Sequence, residues 1–225
     1  MRDSVDGAFP ETTMGFAGGL ADPDGPGWAR AMETLCARYW KPVYSWFRLA
    51  WAKSDADAKD LTQAFFLELL EDPALRRFDP GRGGFRPYLK TLLRRFASHE
   101  ERDRLRLKRG GAVRHVPLEG DLPALADADP ERAFERVWLE ELVAGAVESV
   151  RVSCPPARFR IYAAYTEAVE PPSYAELAAR LGVGVGEVEK ALHLVREEIR
   201  RELRARLRES AGEGAEEEWR RILGG

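Results

Sequence analysis

Cysteine and histidine are scarce in this chain. Its 225 residues include two cysteines, Cys36 and Cys154, and three histidines, His99, His115 and His193. The cysteines lie far apart with no Cys-x-x-Cys pair and the histidines are scattered, so neither a zinc site nor a redox pair is expected. No run of about 18 apolar residues is present to span a membrane, and the N-terminus lacks the apolar core of a signal peptide. A reducing cytoplasm is the expected setting. No segment shows the period-two alternation of a half-buried strand, and no internal repeat stands out. A Gly-rich phosphate loop and a nucleophile motif are also missing. Asp57 and Asp60 have the spacing of a metal-binding Asp-x-x-Asp, but no second acidic cluster exists to face them across a cavity. An enzyme is therefore the least expected class, and no cofactor or metal is expected.

What is abundant is charge, and it is segregated. The formal net charge is only −3, yet from Arg76 to Arg109 twelve basic residues stand against four acids. From Glu119 to Glu141 eight acids stand against Arg132 and Arg136. Blocks of opposite sign say more about partners than their sum does. A solvated face is the plain reading of Arg94 to Arg109, but its seven basic residues exceed its three acids and repel one another unless a polyanion is near. Phe85, Tyr88 and Phe96 lie just upstream. Each alone fits a core; beside a basic track, aromatic faces also suit unstacked bases.

Hydrophobic residues make up 44% of the chain, enough for real cores. Residues 1–27, rich in Gly, Pro and Asp, read as a flexible tail. Trp28, Met32, Leu35, Tyr39, Val43 and Phe47 then recur at helical spacing, with Pro42 expected to kink or split the helix. A second helix is expected from about Ser54 to Leu70, with Ser54 as N-cap and Asp55 and Asp57 in the first turn. Ala58, Leu61, Phe65 and Leu69 form its apolar stripe, with Phe66 and Leu70 at the edge. After the turn cluster 79–84 a third helix runs from about Phe85 to Leu107 and stops at Gly110-Gly111. Residues 112–130 form an acidic linker. Helices follow over Phe134 to Val150, Pro156 to Val169, Ser173 to Leu181 and Val185 to Arg208, with a short amphipathic segment at Glu216 to Leu223. The fold class is all-α: two helical domains, 28–111 and 131–210, joined by the linker and closed by the tail 211–225.

Ser173-Tyr174-Ala175-Glu176 is a capping box, in which the serine and glutamate satisfy orphan amides reciprocally. Leu177 and Leu181 follow on one face, Gly182 ends the helix, and Val188 and Leu192 open the next. The unit has the shape of a helix-turn-helix. An ordinary helical hairpin is the alternative; the basic continuation (Arg196, Arg200, Arg201, Arg204, Arg206, Arg208) favours DNA.

These segments in this order resemble the extracytoplasmic-function group of bacterial RNA polymerase sigma factors, within the sigma-70 family. Residues 35–44 resemble the first helix of sigma region 2, and Asp57-Ala58-Lys59-Asp60-Leu61-Thr62-Gln63-Ala64-Phe65-Phe66 resembles the polymerase-docking helix. Phe85-Arg86-Pro87-Tyr88-Leu89 with Lys108-Arg109-Gly110-Gly111 is similar to the promoter-melting segment. Ser173 to Arg196 is similar to region 4, and Glu216 to Leu223 to an acidic closing helix. The resemblance implies that Asp57, Asp60, Gln63 and Phe66 meet the coiled-coil clamp of the polymerase largest subunit. Arg94, Arg95, Arg102 and Arg106 would contact the non-template strand of the minus-ten element, whose bases leave the stack. Lys190, His193 and Arg196 would read the minus-thirty-five element, and the linker would thread the polymerase. Core RNA polymerase and promoter DNA are the implied partners, with an anti-sigma factor or a kinase as further ones. The chain departs from the family pattern at Lys59, where Glu is usual, at Arg95 and His99, where Asn and Asp are frequent, and at Glu187 and Glu189, which repel phosphate. Thr62 lies between Asp60 and Gln63, and phosphorylation there would return charge to the docking helix. The alternative readings are a free-standing helix-turn-helix regulator and a polymerase-binding protein without promoter recognition.

Overall fold

The computed structural model describes residues 19–20, 22, 24–50, 54–110, 129–211, 215–216 and 219–220, with the backbone alone over 101–110. Among these residues there are seven α-helices and no strand: α1 Trp28–Ala50, α2 Asp55–Glu71, α3 Phe85–Gly110, α4 Pro130–Ser153, α5 Pro156–Thr166, α6 Tyr174–Leu181 and α7 Val185–Ala211. The all-α class is as expected. Two 3-10 turns, Leu75–Arg77 and Pro80–Arg82, lie between α2 and α3. By contacts the chain divides into two compact units, Met1–Leu139 with Arg208–Gly225, and Glu140–Leu207. The division falls inside α4 and inside α7. Of the acidic linker, only Asp129 and Pro130 lie within the described residues.

The first unit is built on α1, α2 and α3. In α1 the residues at spacings of three and four (Leu35, Tyr39, Val43, Trp46, Phe47) are buried, as the periodicity predicts. Pro42 does not split the helix. It is itself buried within one continuous span, between Tyr39 and Val43, and that packing outweighs the amide donor it removes. Leu20 is fully buried, and a Cβ on Gly19 would stand 2.8 Å from the Cβ of Ala31. The ordered fold therefore begins ahead of α1.

Ser54 caps α2 by accepting from the amide of Asp57 at 3.1 Å. The buried positions of α2 are Ala58, Thr62, Phe65, Phe66 and Leu69. Thr62, and not Leu61, lies on this stripe, because the face centres between Ala58 and Leu69 with Phe66 drawn inward. Helix α3 contributes Phe85, Leu89, Leu93 and Phe96. Edge-on aromatic pairs join the three helices: Phe47 with Phe96 at 5.8 Å and Phe65 with Phe96 at 5.5 Å. The first turns of α4 belong to this unit too, with Phe134 and Trp138 buried. So do Ala215 and Trp219 of the tail, both buried.

The second unit packs α5, α6 and α7 around Ile161, Leu177, Ala178, Val188, Ala191 and Leu192. A further group joins the end of α4 to α7: Val150 and Cys154 with Val195 and Ile199. The capping box is formed as expected: Glu176 accepts from the Ser173 amide at 2.8 Å and donates its own amide to Ser173 Oγ at 3.3 Å. The Ser173 hydroxyl and amide hold the Glu176 carboxyl below its ordinary range. Gly182 ends α6 with φ +69°, a left-handed conformation that side chains other than glycine's resist. Replacing Ser173 by alanine is expected to cost about 1 kcal/mol of stability, read as a lower denaturation midpoint. An unchanged midpoint would mean that the cap is idle.

Candidate functional site

Helix α2 buries one face and presents the other. Asp57, Asp60 and Gln63 are exposed on that outer face. Asp55 is not available with them, since it accepts from Tyr44 Oη at 2.6 Å and pairs with Lys59 at 2.8 Å. The Lys59 ammonium, followed by the Tyr44 hydroxyl, holds the Asp55 carboxyl below its usual range. Lys59 is thus engaged one turn back, and neither Asp57 nor Asp60 has an ion pair among the described residues. The departure at Lys59 thus does not itself neutralise the outer acids.

Phe66, expected at the edge of the apolar stripe and, by the resemblance, as a polymerase contact, is 4% exposed and lies behind Trp40, which stacks on it with ring centroids 5.6 Å apart and planes 14° apart. Trp40 therefore offers the aromatic surface. Leu67 (52% exposed) and Leu70 (45% exposed) continue the outer face from Gln63. Periodicity marked neither of these leucines nor Trp40 as a contact. The available signal was that α2 carries more apolar residues (Phe65, Phe66, Leu67, Leu69, Leu70) than one buried stripe can hold.

Thr62 lies in the core at 0% exposure, its hydroxyl donating to the Ala58 carbonyl at 2.7 Å. The surface position expected for a phosphorylated threonine is not found. A kinase would meet this hydroxyl only once it had left its place in the helix.

A recess of about 480 Å³ opens at the start of α3, lined among others by Arg77, Phe78, Arg82, Gly83, Tyr88 and Thr91. The 3-10 turns shape it. Asp79 accepts from the Gly81 amide at 2.9 Å, and Gly83 at φ +137° carries the chain into α3. Tyr88 is fixed by donating its hydroxyl to the Ala74 carbonyl at 2.5 Å, and burial pushes its ionisation up. Its ring lies 5.5 Å from that of Phe78. The recess thus offers an aromatic wall and the cation Arg77, with Arg82 paired to the lining Asp79 at 3.3 Å.

Along α3 the expected cations are engaged. Arg95 pairs with Asp72 at 3.0 Å, and Arg94 Nε donates to Glu131 at 2.9 Å. Lys90 lies 2.6 Å from Glu135 and 3.2 Å from Glu131. Arg86, 6% exposed, pairs with Glu135 at 3.3 Å and lies 3.9 Å over the Trp138 ring. The side chains of Arg102 and Arg106 lie outside the described residues.

In the second unit Lys190 and His193 are exposed one turn apart on α7, and the exposed Glu187 and Glu189 precede them. Arg196 is half-buried, its guanidinium 5.3 Å over the Tyr165 ring. Among the described residues there is no cluster able to hold a metal ion and no helix long and apolar enough to cross a membrane.

The described residues thus hold two helical units, one with a basic helix beside an aromatic recess and one with a capped helix and a following long helix. The family model for the ECF sigma factor matches residues 45–205, and the chain belongs to that family. No curated protein and no solved structure matches it. Members of the family bind RNA polymerase and direct transcription initiation at promoters, as regulators rather than enzymes. Anti-sigma factors are typical partners in the family.

Proposed function

We propose that this chain is an alternative sigma factor that docks on core RNA polymerase through the outer face of α2. In this reading it opens promoters with α3 and the recess at its start, and reads the minus-thirty-five element with α7. The observation that carries the reading is the outer face of α2, where two exposed acids with no ion pair among the described residues border an exposed apolar strip. A free-standing regulator has no need of such a face. The clamp of the polymerase largest subunit is the expected partner there, its cations meeting Asp57 and Asp60 while Gln63, Leu67, Leu70 and Trp40 pack at the centre.

The recess fits a single base turned out of the stack, laid against the Phe78–Tyr88 pair on its open side and beside Arg77. Arg94, Arg95, Arg102 and Arg106 follow along α3 as contacts to the strand, and the linker at 112–130 as the segment that threads the enzyme. On α7, Lys190 and His193 face the major groove, while Arg196 has its guanidinium over Tyr165. Glu187 and Glu189 near the start of α7 weaken the phosphate contacts there, so the minus-ten contacts carry the larger share of affinity.

The test is binding of the purified protein to core RNA polymerase, with Asp57→Lys/Asp60→Lys as the comparison. Both sites are exposed, so the fold is kept. Affinity is expected to fall about tenfold or more, with the loss largest at low salt, because the reversed charges oppose encounter. No binding of the unaltered protein to the polymerase of its own host would overturn the reading.

A further inference from the structure

The two carboxylates in the first turns of α4 converge on the cations of α3, and all of these residues belong to one compact unit. Glu131 is central. Its Oε1 accepts from Arg94 Nε at 2.9 Å and from Trp46 Nε1 at 3.4 Å, while its Oε2 lies 3.2 Å from Lys90 Nζ. Glu135 takes the same ammonium at 2.6 Å. The helix itself is anchored apart from these charges, through Phe134 and Trp138 in the core and through Asp129, which accepts from the Glu131 amide at 2.9 Å.

We propose that the Glu131 carboxylate occupies the place of a DNA phosphate on α3, neutralising Lys90 and Arg94 in the free protein, and that single-stranded DNA must displace it to engage them. The proposal rests on α3 being the strand-contacting helix. It adds a built-in competitor that no assignment of contact residues contains.

Three observations carry it. A carboxylate held between an ammonium and a guanidinium presents two oxygens to two cations, as a phosphate does. The contact is incomplete: Oε2 is buried yet makes no hydrogen bond, because Lys90 stands at ion-pair distance with the wrong geometry. The Arg94–Glu131 pair is the accessible one, with the Arg94 side chain 54% and that of Glu131 31% exposed, so solvent screens it and it is readily exchanged. The Lys90 side chain, by contrast, is 18% exposed and also held by Glu135. Burial acts against the Glu131 charge, but Arg94 and Lys90 outweigh it and keep the carboxyl below its usual range. The Glu131 side chain thus swings away while Phe134 and Trp138 stay seated. A strand that supplies several phosphates gains counterion release at each, which one tethered carboxylate cannot match. The consequence is a sigma factor whose basic helix is masked from stray nucleic acid.

The experiment measures binding of the full chain to a short fluorescein-labelled single-stranded DNA of mixed sequence, by anisotropy across a salt series. Glu131→Gln removes the charge and keeps the shape. It is expected to bind several-fold more tightly at low salt, with a salt slope steeper by about 0.7, the one phosphate contact of Arg94, since Lys90 keeps Glu135 at 2.6 Å. Asp24→Asn/Glu33→Gln, which removes two exposed acids elsewhere in the unit against the one lost in Glu131→Gln, sets an upper bound on the effect of net charge alone. Arg94→Gln is made in both backgrounds. If Glu131 masks Arg94, most of the gain from Glu131→Gln is lost when Arg94 is absent. A gain no larger than that of the control pair, or one that survives Arg94→Gln intact, would overturn the proposal. If Arg94→Gln lowers binding while Glu131→Gln adds nothing, α3 binds DNA and only the masking is wrong. If Arg94→Gln changes nothing in either background, the assignment of α3 falls and the masking falls with it. Zero-length carbodiimide cross-linking of the unaltered chain provides a check that needs no variant. The Lys90–Glu131 link is expected in the free protein and should be suppressed by saturating single strand; a link that the strand leaves unchanged is the contrary result.

Discussion

Phe65→Ala is expected to lower the stability of the first unit by about 3–5 kcal/mol, the range for removing a buried aromatic ring. Phe65 is 1% exposed and lies edge-on to both Phe66 and Phe96, at 5.5 Å from each. Phe96 in turn meets Phe47, so the ring ties α2 to α3 and, through it, to α1. The cost depends on how far the surroundings collapse into the space left. Here the neighbouring rings are Phe66 of α2 and Phe96 of α3, and Phe96 is braced in turn by Phe47 of α1, so little collapse is available and the upper half of the range applies. Each lost edge-to-face pair adds about 0.5–1.5 kcal/mol beyond the area term. Against a total of about 5–15 kcal/mol for a domain, this is a large share. The variant should also bind polymerase poorly although Phe65 never reaches the surface, because Phe65 and Phe66 position the outer face of α2. A denaturation midpoint close to that of the unaltered protein would mean that the cluster repacks.

Local features were legible in the sequence and distant ones were not. The capping box at Ser173 and the N-cap at Ser54 each act over three residues, so the pattern names both partners at once. The exposure of Asp57, Asp60 and Gln63 likewise follows from the period of α2. The same period misjudged Thr62 and Leu61, because threonine is amphipathic and its hydroxyl can bond back to the carbonyl one turn earlier. Of the two outcomes that the local cost of Pro42 predicts, a kink or a split, the split does not occur, because the burial around it is a tertiary gain that no local window contains. The cations of α3 show the limit most clearly. Their number predicted a polyanion, yet Arg94 meets a carboxylate 37 residues further along and Arg95 one 23 residues back. The recess beside α3 was hidden for a related reason: it is made by 3-10 turns and a glycine, and hydrophobic periodicity says nothing about such segments.

Leu67→Ser/Leu70→Ser is expected to weaken polymerase binding more than the acidic reversal does, and through a different rate. Full burial of a leucine side chain contributes about 1.5–3 kcal/mol, and roughly half of each side chain is already covered, so the pair has about 2 kcal/mol left to gain on docking. That corresponds to about thirtyfold in affinity, and desolvating two serine hydroxyls raises the loss toward a hundredfold. Because both side chains are 45% or more exposed in the free protein, the substitutions leave the core intact and the denaturation midpoint should hold. The two kinds of variant then separate kinetically. Rim charges such as Asp57 and Asp60 govern encounter, so their reversal slows association and makes it depend on salt. Apolar contacts at the centre govern residence, so the serine pair speeds dissociation and leaves the salt dependence as it was. Surface-capture kinetics with immobilised core polymerase at two salt concentrations reads both effects. If the serine pair left dissociation unchanged while the reversed acids abolished binding, the exposed leucines would lie outside the docking face and the contact would be electrostatic throughout.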